Sequence, residues 1–199
     1  LRTAGFFRYH RNMAQLVRDF DDLPIRTEER KPRVGLVGEI LLKYHPDANN
    51  GAVKIVEAEG GEAVVPDLMD FVLYSFHDSI YRYRHLSGPW RNYATSLMSI
   101  AFLECCRRDM RRALRRSKRF TAPLRFKDLR RCAEGLISLG HQTGEGWLLA
   151  AEMVELLESG VPNILCMQPF GCLPNHITGK GLLKELKRRW PEANIAAVD

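Results

Sequence analysis

Arg33-Val34-Gly35-Leu36-Val37-Gly38 leads to Pro46-Asp47-Ala48-Asn49-Asn50, then to a helix-competent stretch over 51–59, then through Gly60-Gly61 to Ala63-Val64-Val65-Pro66. A short apolar run bounded by turn residues reads as a buried strand, and the proline, aspartate and asparagines between supply turn and helix-cap chemistry. Strand, helix and strand in about 35 residues is the length of a βαβ unit, whose two strands run parallel. The pattern resumes later with a helix over 145–159 between Gly144 and Gly160, and a strand at 163–168. A loop from Pro169 to His176, a helix over 177–189 and a strand at 194–198 follow. Alternation of this kind predicts an α/β fold: a parallel, Rossmann-like sheet with helices on both faces. Segments 33–38, 62–65, 163–168 and 194–198 are its expected parallel neighbours.

Two regions lie outside the alternation. Residues 67–138 read as an all-helical, arginine-rich segment broken at Pro89 and at Thr121-Ala122-Pro123. Residues 5–20 read as a helix with Phe6, Phe7, Met13, Leu16, Val17 and Phe20 as its apolar positions, followed by a polar linker from Asp21 to Pro32. The expected organisation is an amino-terminal helix and linker over 1–32 and an α/β domain over 33–199.

The chain has 199 residues, 45% hydrophobic and 27% charged, which excludes a disordered or collagen-like chain. No apolar run reaches the ~18 residues of a membrane span, and no secretory leader opens the sequence, so a cytoplasmic protein is expected. Five cysteines form no regular framework and read as reduced thiols. The sequence does not begin with Met and stops directly after an apolar segment. We therefore expect a piece of a longer polypeptide, with the rest of that polypeptide as its first partner.

The net charge of +6 is unevenly spread. Residues 81–131 hold 15 Lys+Arg against 3 Asp+Glu, a net +12, while the other 148 residues hold 15 against 21, a net −6. Arg107, Arg111, Arg115 and Arg119 recur every four residues, with Arg108, Arg112 and Arg116 in a second row; on a helix these form one broad cationic face. Leu97, Ile100, Leu103, Met110 and Leu114 fall on another face. The cationic face suits an acidic protein neighbour or a phosphate-bearing ligand, and equally reads as a solvated surface. Nucleic acid is disfavoured, since no aromatic interleaving or binding signature accompanies the arginines.

Right-handed crossovers place the loops after Val37 and Gln168 at the carboxyl edge of the sheet, where such folds bind ligands. Polar candidates at that edge are Glu39, Asn49, Asn50, Glu145, His176 and Lys180. Val34-Gly35-Leu36-Val37-Gly38 lacks the third glycine and the ribose acid of a dinucleotide fingerprint, so its glycines serve close packing or a sharp strand exit. Gly179-Lys180-Gly181 lacks the spacing and the Ser/Thr of a phosphate-binding loop, though Lys180 could still meet an anion. The cysteines make no zinc pattern: there is no C-x-x-C, and His176 follows Cys172 by four. Cys105, Cys106, Cys132 and Cys166 read as small core residues. Cys172 differs, because it sits in the stiff turn Pro169-Phe170-Gly171-Cys172-Leu173-Pro174-Asn175-His176, where Gly171 removes bulk beside the thiol. Thiols at such strand-to-helix turns serve iron–sulfur ligation or nucleophilic attack; the other reading is a buried turn residue.

Three stretches carry a resemblance: Pro32 to Ile40 with Asp47-Ala48-Asn49-Asn50; Gly144-Glu145-Gly146-Trp147-Leu148-Leu149; and, most specific, Gln168 to Gly181. Together they resemble the carboxyl-terminal, dehydratase-like part of acyl-CoA dehydratase activase-related proteins. These CoA-substrate-specific enzyme activases are related to the 2-hydroxyacyl-CoA dehydratase systems of anaerobic bacteria. The resemblance spans most of the chain and is weakest in the arginine-rich middle.

The resemblance implies a [4Fe-4S] cluster in the parent protein, with Cys172 as one of its ligands and the others outside this chain. It also implies a CoA thioester, a dehydratase or an electron-transfer partner at the same surface. No segment resembles the family's ATP-binding part, so this chain by itself is expected to be inert. The alternative expectation is a non-catalytic module that docks an acidic partner through the arginine-rich helix.

Overall fold

A computed structural model describes residues 6–25 and 30–199. The side chains of Phe6 and Phe7, and residues 26–29 of the expected linker, lie outside the described residues.

Four strands, β1 (Arg33–Gly38), β2 (Glu62–Val64), β3 (Asn163–Met167) and β4 (Asn194–Val198), form one sheet in the order β2-β1-β3-β4. Every pairing is parallel, with Val34 opposite both Ala63 and Asn163, and Cys166 opposite Ala197. The expected parallel α/β sheet is present. The order in which strands are added reverses across it: the crossover from β1 leads to β2 on one side, and β3 and β4 extend the other. The carboxyl ends of β1 and β3 therefore flank the switch point, where open α/β sheets form a crevice.

Period-two alternation sends the strand side chains to two cores. On one face Val37, Ile164, Cys166 and Ile195 pack with Leu149, Met153 and Leu157 of α7 (Gly146–Glu158) and Leu186 of α9 (Leu183–Arg189). On the other, Leu36 and Met167 pack with Leu42 of α2 (Ile40–Tyr44) and with Ala52, Val53 and Val56 of α3 (Ala52–Ala58). Gly35 admits α7 closely, since a Cβ there would stand 2.6 Å from Leu156. Gly38, at φ +132°, turns the chain sharply out of β1, and a Cβ would collide with the Met167 carbonyl.

The middle segment is helical as expected: α4 (Leu68–His85), α5 (Trp90–Leu114) and α6 (Phe126–Ala133). Leu73 and Tyr74 of α4 and Phe126 and Leu129 of α6 close a third apolar core over Trp147, Leu148 and Ala151 of α7. Helix α7 thus lies between sheet and helical layer, apolar nearly all round as such a position demands. Helix α1 (Phe6–Asp21) packs on α5, its Asp21 carboxylate accepting from Ser117 Oγ at 2.7 Å.

Three expectations are corrected. The helix expected over 177–189 is three pieces: α8 (Leu173–Thr178), a 3₁₀ turn (Lys180–Leu182) and α9. Pro174 sits in the first turn of α8, where its missing N–H costs nothing. The seven arginines of 107–119 do not form one exposed face. Helix α5 ends at Leu114, and Arg107 and Arg111 are buried. Arg107 donates to Asp70 at 2.7 Å and Asp67 at 2.8 Å, and Arg111 to Glu104 at 2.9 Å. Burial pushes the Asp70 carboxyl up despite Arg107 beside it. The reading of four cysteines as small core residues holds for the buried Cys166 and for Cys132, half-buried against the core; it is corrected for Cys105, which is exposed on α5, while Cys106 is half-buried.

Candidate functional site

The carboxyl edge is assembled from the loops after β1, β3 and β4 and the turn before α7. Glu39 caps α2, accepting from Leu42 N at 3.0 Å, and the buried Glu145 accepts from Ile40 N at 2.9 Å. Both carboxylates are thus spent on the free N–H groups of the same short helix. Asn49 and Asn50 build the connection between α2 and α3. Asn49 donates to the Leu42 carbonyl at 2.7 Å and accepts from Ala52 N at 3.0 Å, and Asn50 takes a left-handed φ of 54°. Behind these groups Lys43 and Glu152 form a buried pair at 2.6 Å that ties α2 to α7. Complete burial raises the Glu152 carboxyl, against the pull of Lys43.

Across the edge, Asp199 is the hub. Its carboxylate accepts from Gln168 Nε2 at 2.9 Å, pairs with Lys180 and stands 3.9 Å from His176 Nε2. The hydrogen bond from Lys180, then that from Gln168, holds Asp199 below the usual carboxylate range. The anion that Lys180 meets is therefore a carboxylate of this chain. Sequence reasoning passed over Asp199 and Gln168; a carboxylate directly after the last strand of a parallel sheet was the available signal. Gln168 and Asn175 are fully buried here, and Gln168 Oε1 and both polar atoms of the Asn175 side chain have no partner among the described residues.

Cys172 is half-buried and stands at the amino cap of α8. Gly171 before it has a φ of +74°, and a Cβ there would meet nothing within 4 Å. The glycine is required by the turn, and the expectation that it clears space beside the thiol is corrected. His176 Nδ1 donates to the Cys172 carbonyl at 2.8 Å, while Nε2 faces Asp199. Both ring nitrogens are thereby directed at oxygens, an arrangement unlike the nucleophile–base pair of a thiol hydrolase. Cys166, 0% exposed, has its thiol pushed up to about 12 by burial and is unsuited to ligation or attack. Among the described residues no group of three or more His, Cys, Asp and Glu side chains could hold a metal ion.

The turn around Cys172 is apolar on its outside: Phe170 is 92% exposed and Leu173 69%, with Ile177 and Val198 also exposed. Beside it a cleft of about 230 Å³ runs between the loop Gly140–Thr143 and α8, lined by His141, Gln142, Thr143, Leu173 and Ile177. Gln142 Oε1 is buried there without a partner among the described residues.

Comparisons with models of protein families, with curated proteins and with solved structures returned no match. Sheet order, parallel pairing and helices on both faces define a Rossmann-like α/β protein. Among the described residues no helix is long and apolar enough to cross a membrane.

Proposed function

We propose that this chain is the dehydratase-like α/β domain of an activase-related protein of the 2-hydroxyacyl-CoA dehydratase type. In this reading Cys172 is the one thiol it contributes to an iron–sulfur site completed by the rest of the parent polypeptide or a partner subunit. The observation that carries the reading is the setting of Cys172. The thiol lies on the turn after β3, at the carboxyl edge beside the switch point, within a rim of uncovered apolar side chains. Exposed apolar surface around a cysteine is suited to meeting another surface or ligand. The cleft between Gly140–Thr143 and α8 is the adjoining place for part of a CoA thioester.

A [4Fe-4S] cluster takes about four thiolates, and this chain offers one at the edge, so it is a contributor to such a site and not its container. When bound, the cluster would supply single-electron transfer. This chain's part is to hold one sulfur on a rigid turn, with His176 and Asp199 fixed by their own hydrogen bonds.

Anaerobic reconstitution of the parent polypeptide with iron and sulfide tests the reading. Cys172→Ser is expected to lower bound iron and weaken the cluster's visible absorption, while Cys105→Ser leaves both unchanged. Equal iron in the wild type and Cys172→Ser would leave Cys172 as a turn residue only.

A further inference from the structure

Helix α5 carries a second feature, independent of the iron–sulfur reading. Met98, Ala101, Cys105, Arg108, Arg112 and Arg115 follow one another in steps of three and four, and all six are exposed. That 3.5-residue period draws a single line along a helix, the kind of seam that a second helix covers. Among the described residues its neighbours leave most of it uncovered, α1 bordering it only at a cleft beside Arg112. Helix α4 holds another side of α5 through Asp70 and Arg107, and α1 approaches Cys106 through the Tyr9 hydroxyl.

The seam changes character along its length. Its first half is apolar, with Met98 65% exposed and Phe102, directly beside the line, 67%. Its second half borders a cleft of about 490 Å³ lined by Arg108, Arg111, Arg112, Arg115 and Arg125. Glu104 is the one carboxylate in that lining, and it is committed to Arg111. Among the described residues the Arg112 guanidinium reaches only Asp109, at 3.4 Å, and the guanidiniums of Arg108, Arg115 and Arg125 make no ion pair or hydrogen bond. Like charges gathered on a folded surface repel one another, and an anionic partner bound there relieves that repulsion.

We propose that this seam is the docking site for an acidic amphipathic helix of another protein. Its apolar residues would cover Met98, Ala101, Phe102 and Cys105, and its carboxylates would pair with Arg108, Arg112, Arg115 and Arg125. Charge complementarity sets the acidity, and the apolar half sets the class of partner. A free phosphate makes no use of Met98 and Phe102. A single-stranded nucleic acid stacks its bases on aromatic rings set among the cations, and Phe102 stands apart from them. From Met98 to Arg115 the seam is about 25 Å long, which a partner helix of about five turns matches.

The test uses two labelled peptide helices of that length, one with Leu in its first half and Glu in its second, the other reversed, so that both orientations are sampled. One of them is expected to bind with 1:1 stoichiometry in fluorescence anisotropy, and to lose about tenfold in affinity between low and moderately high salt. The triple variant Arg108→Glu, Arg112→Glu, Arg115→Glu should abolish binding, and Phe102→Ser should weaken it severalfold. Circular dichroism checks that each variant is folded; should the triple variant not be, Arg112→Gln and Phe102→Ser decide alone. Bound peptide should also shield Cys105 from iodoacetamide and leave the labelling of Cys172 unchanged, which separates this surface from the iron–sulfur site. Three results would overturn the proposal: no binding of either peptide at about 0.1 mM in low salt, unshielded Cys105, or tighter binding of RNA or inorganic polyphosphate that ignores Phe102→Ser.

Discussion

Helices α7 and α5 invert one another. Eleven of the 13 residues of α7 are buried, and all but Glu152 and Gly146 among them are apolar. Of the 25 residues of α5 five are buried, namely Ser96, Arg107, Asp109, Arg111 and Ala113, while Met98 and Phe102 face outward. One helix is held by removal of apolar area from water, which depends little on pH or salt. The other meets α4 through half-buried Ile100 and Leu103 and through the desolvated pairs of Arg107 with Asp67 and Asp70, which depend on every partner being present and charged. Burial therefore follows hydrophobicity in one region and charge pairing in the other.

The strongest way to break this contrast is Arg107→Met. Removing the guanidinium leaves Asp70 buried and uncompensated, and should cost about 3–5 kcal/mol in urea unfolding. Adding Asp70→Leu should recover most of it, since two apolar groups can replace a buried pair. A loss below about 1 kcal/mol for the single variant would mean that α5 is held by something other than these pairs.

A smaller effect sharpens the same contrast at Glu155, on α7 where it faces the ionic layer. Its carboxyl is pushed up to about 7 by desolvation, then by Asp70 and Glu152, against a hydrogen bond from the Leu124 backbone and the weaker pull of Arg107. A raised carboxyl binds its proton more tightly folded than unfolded, so its contribution is complete below about pH 4 and is lost as pH rises through about 7. Glu155→Gln should therefore stabilise the fold by about 2–3 kcal/mol at pH 8 and be close to neutral at pH 4. Paired unfolding curves at the two values check this, and an equal effect at both would show that ionisation is not its source.

The smallest effect is expected on the open side of α5. Arg108→Ala and Arg115→Ala should each change stability by less than about 0.5 kcal/mol at any salt concentration, because neither guanidinium makes a hydrogen bond or ion pair among the described residues. A thermal-unfolding shift comparable to that of Arg107→Met would make the exposed row structural and remove the contrast.

The strands were legible because buried parallel strands are short apolar runs with turn residues at each end, and Arg33–Gly38 and Asn163–Met167 have that form. The five-residue α2 was not, since Ile40–Tyr44 is too short to show a helical period. Leu173–Thr178 was hidden because Pro174 reads as a turn residue in sequence and is an equally good first-turn helix residue. At the candidate site, Cys172 and His176 could be picked out by residue type and spacing. The bond from Gln168 to Asp199, and the commitment of Glu39 and Glu145 to the N–H groups of α2, could not.

By itself the amino-acid sequence determined the α/β class, the succession of the four strands along the chain, and the presence of an arginine-rich helix, because these follow from local periodicity and turn chemistry. Only the tertiary structure decided which arginines are spent and which are free. Arg107 and Arg108 are neighbours of identical chemistry. The first is buried because Asp67 and Asp70, some forty residues earlier, come to it on α4, and the second faces outward because no element packs there among the described residues. A helical period sets which side chains share a face. What that face meets depends on contacts between segments far apart in the chain, and no local pattern encodes them.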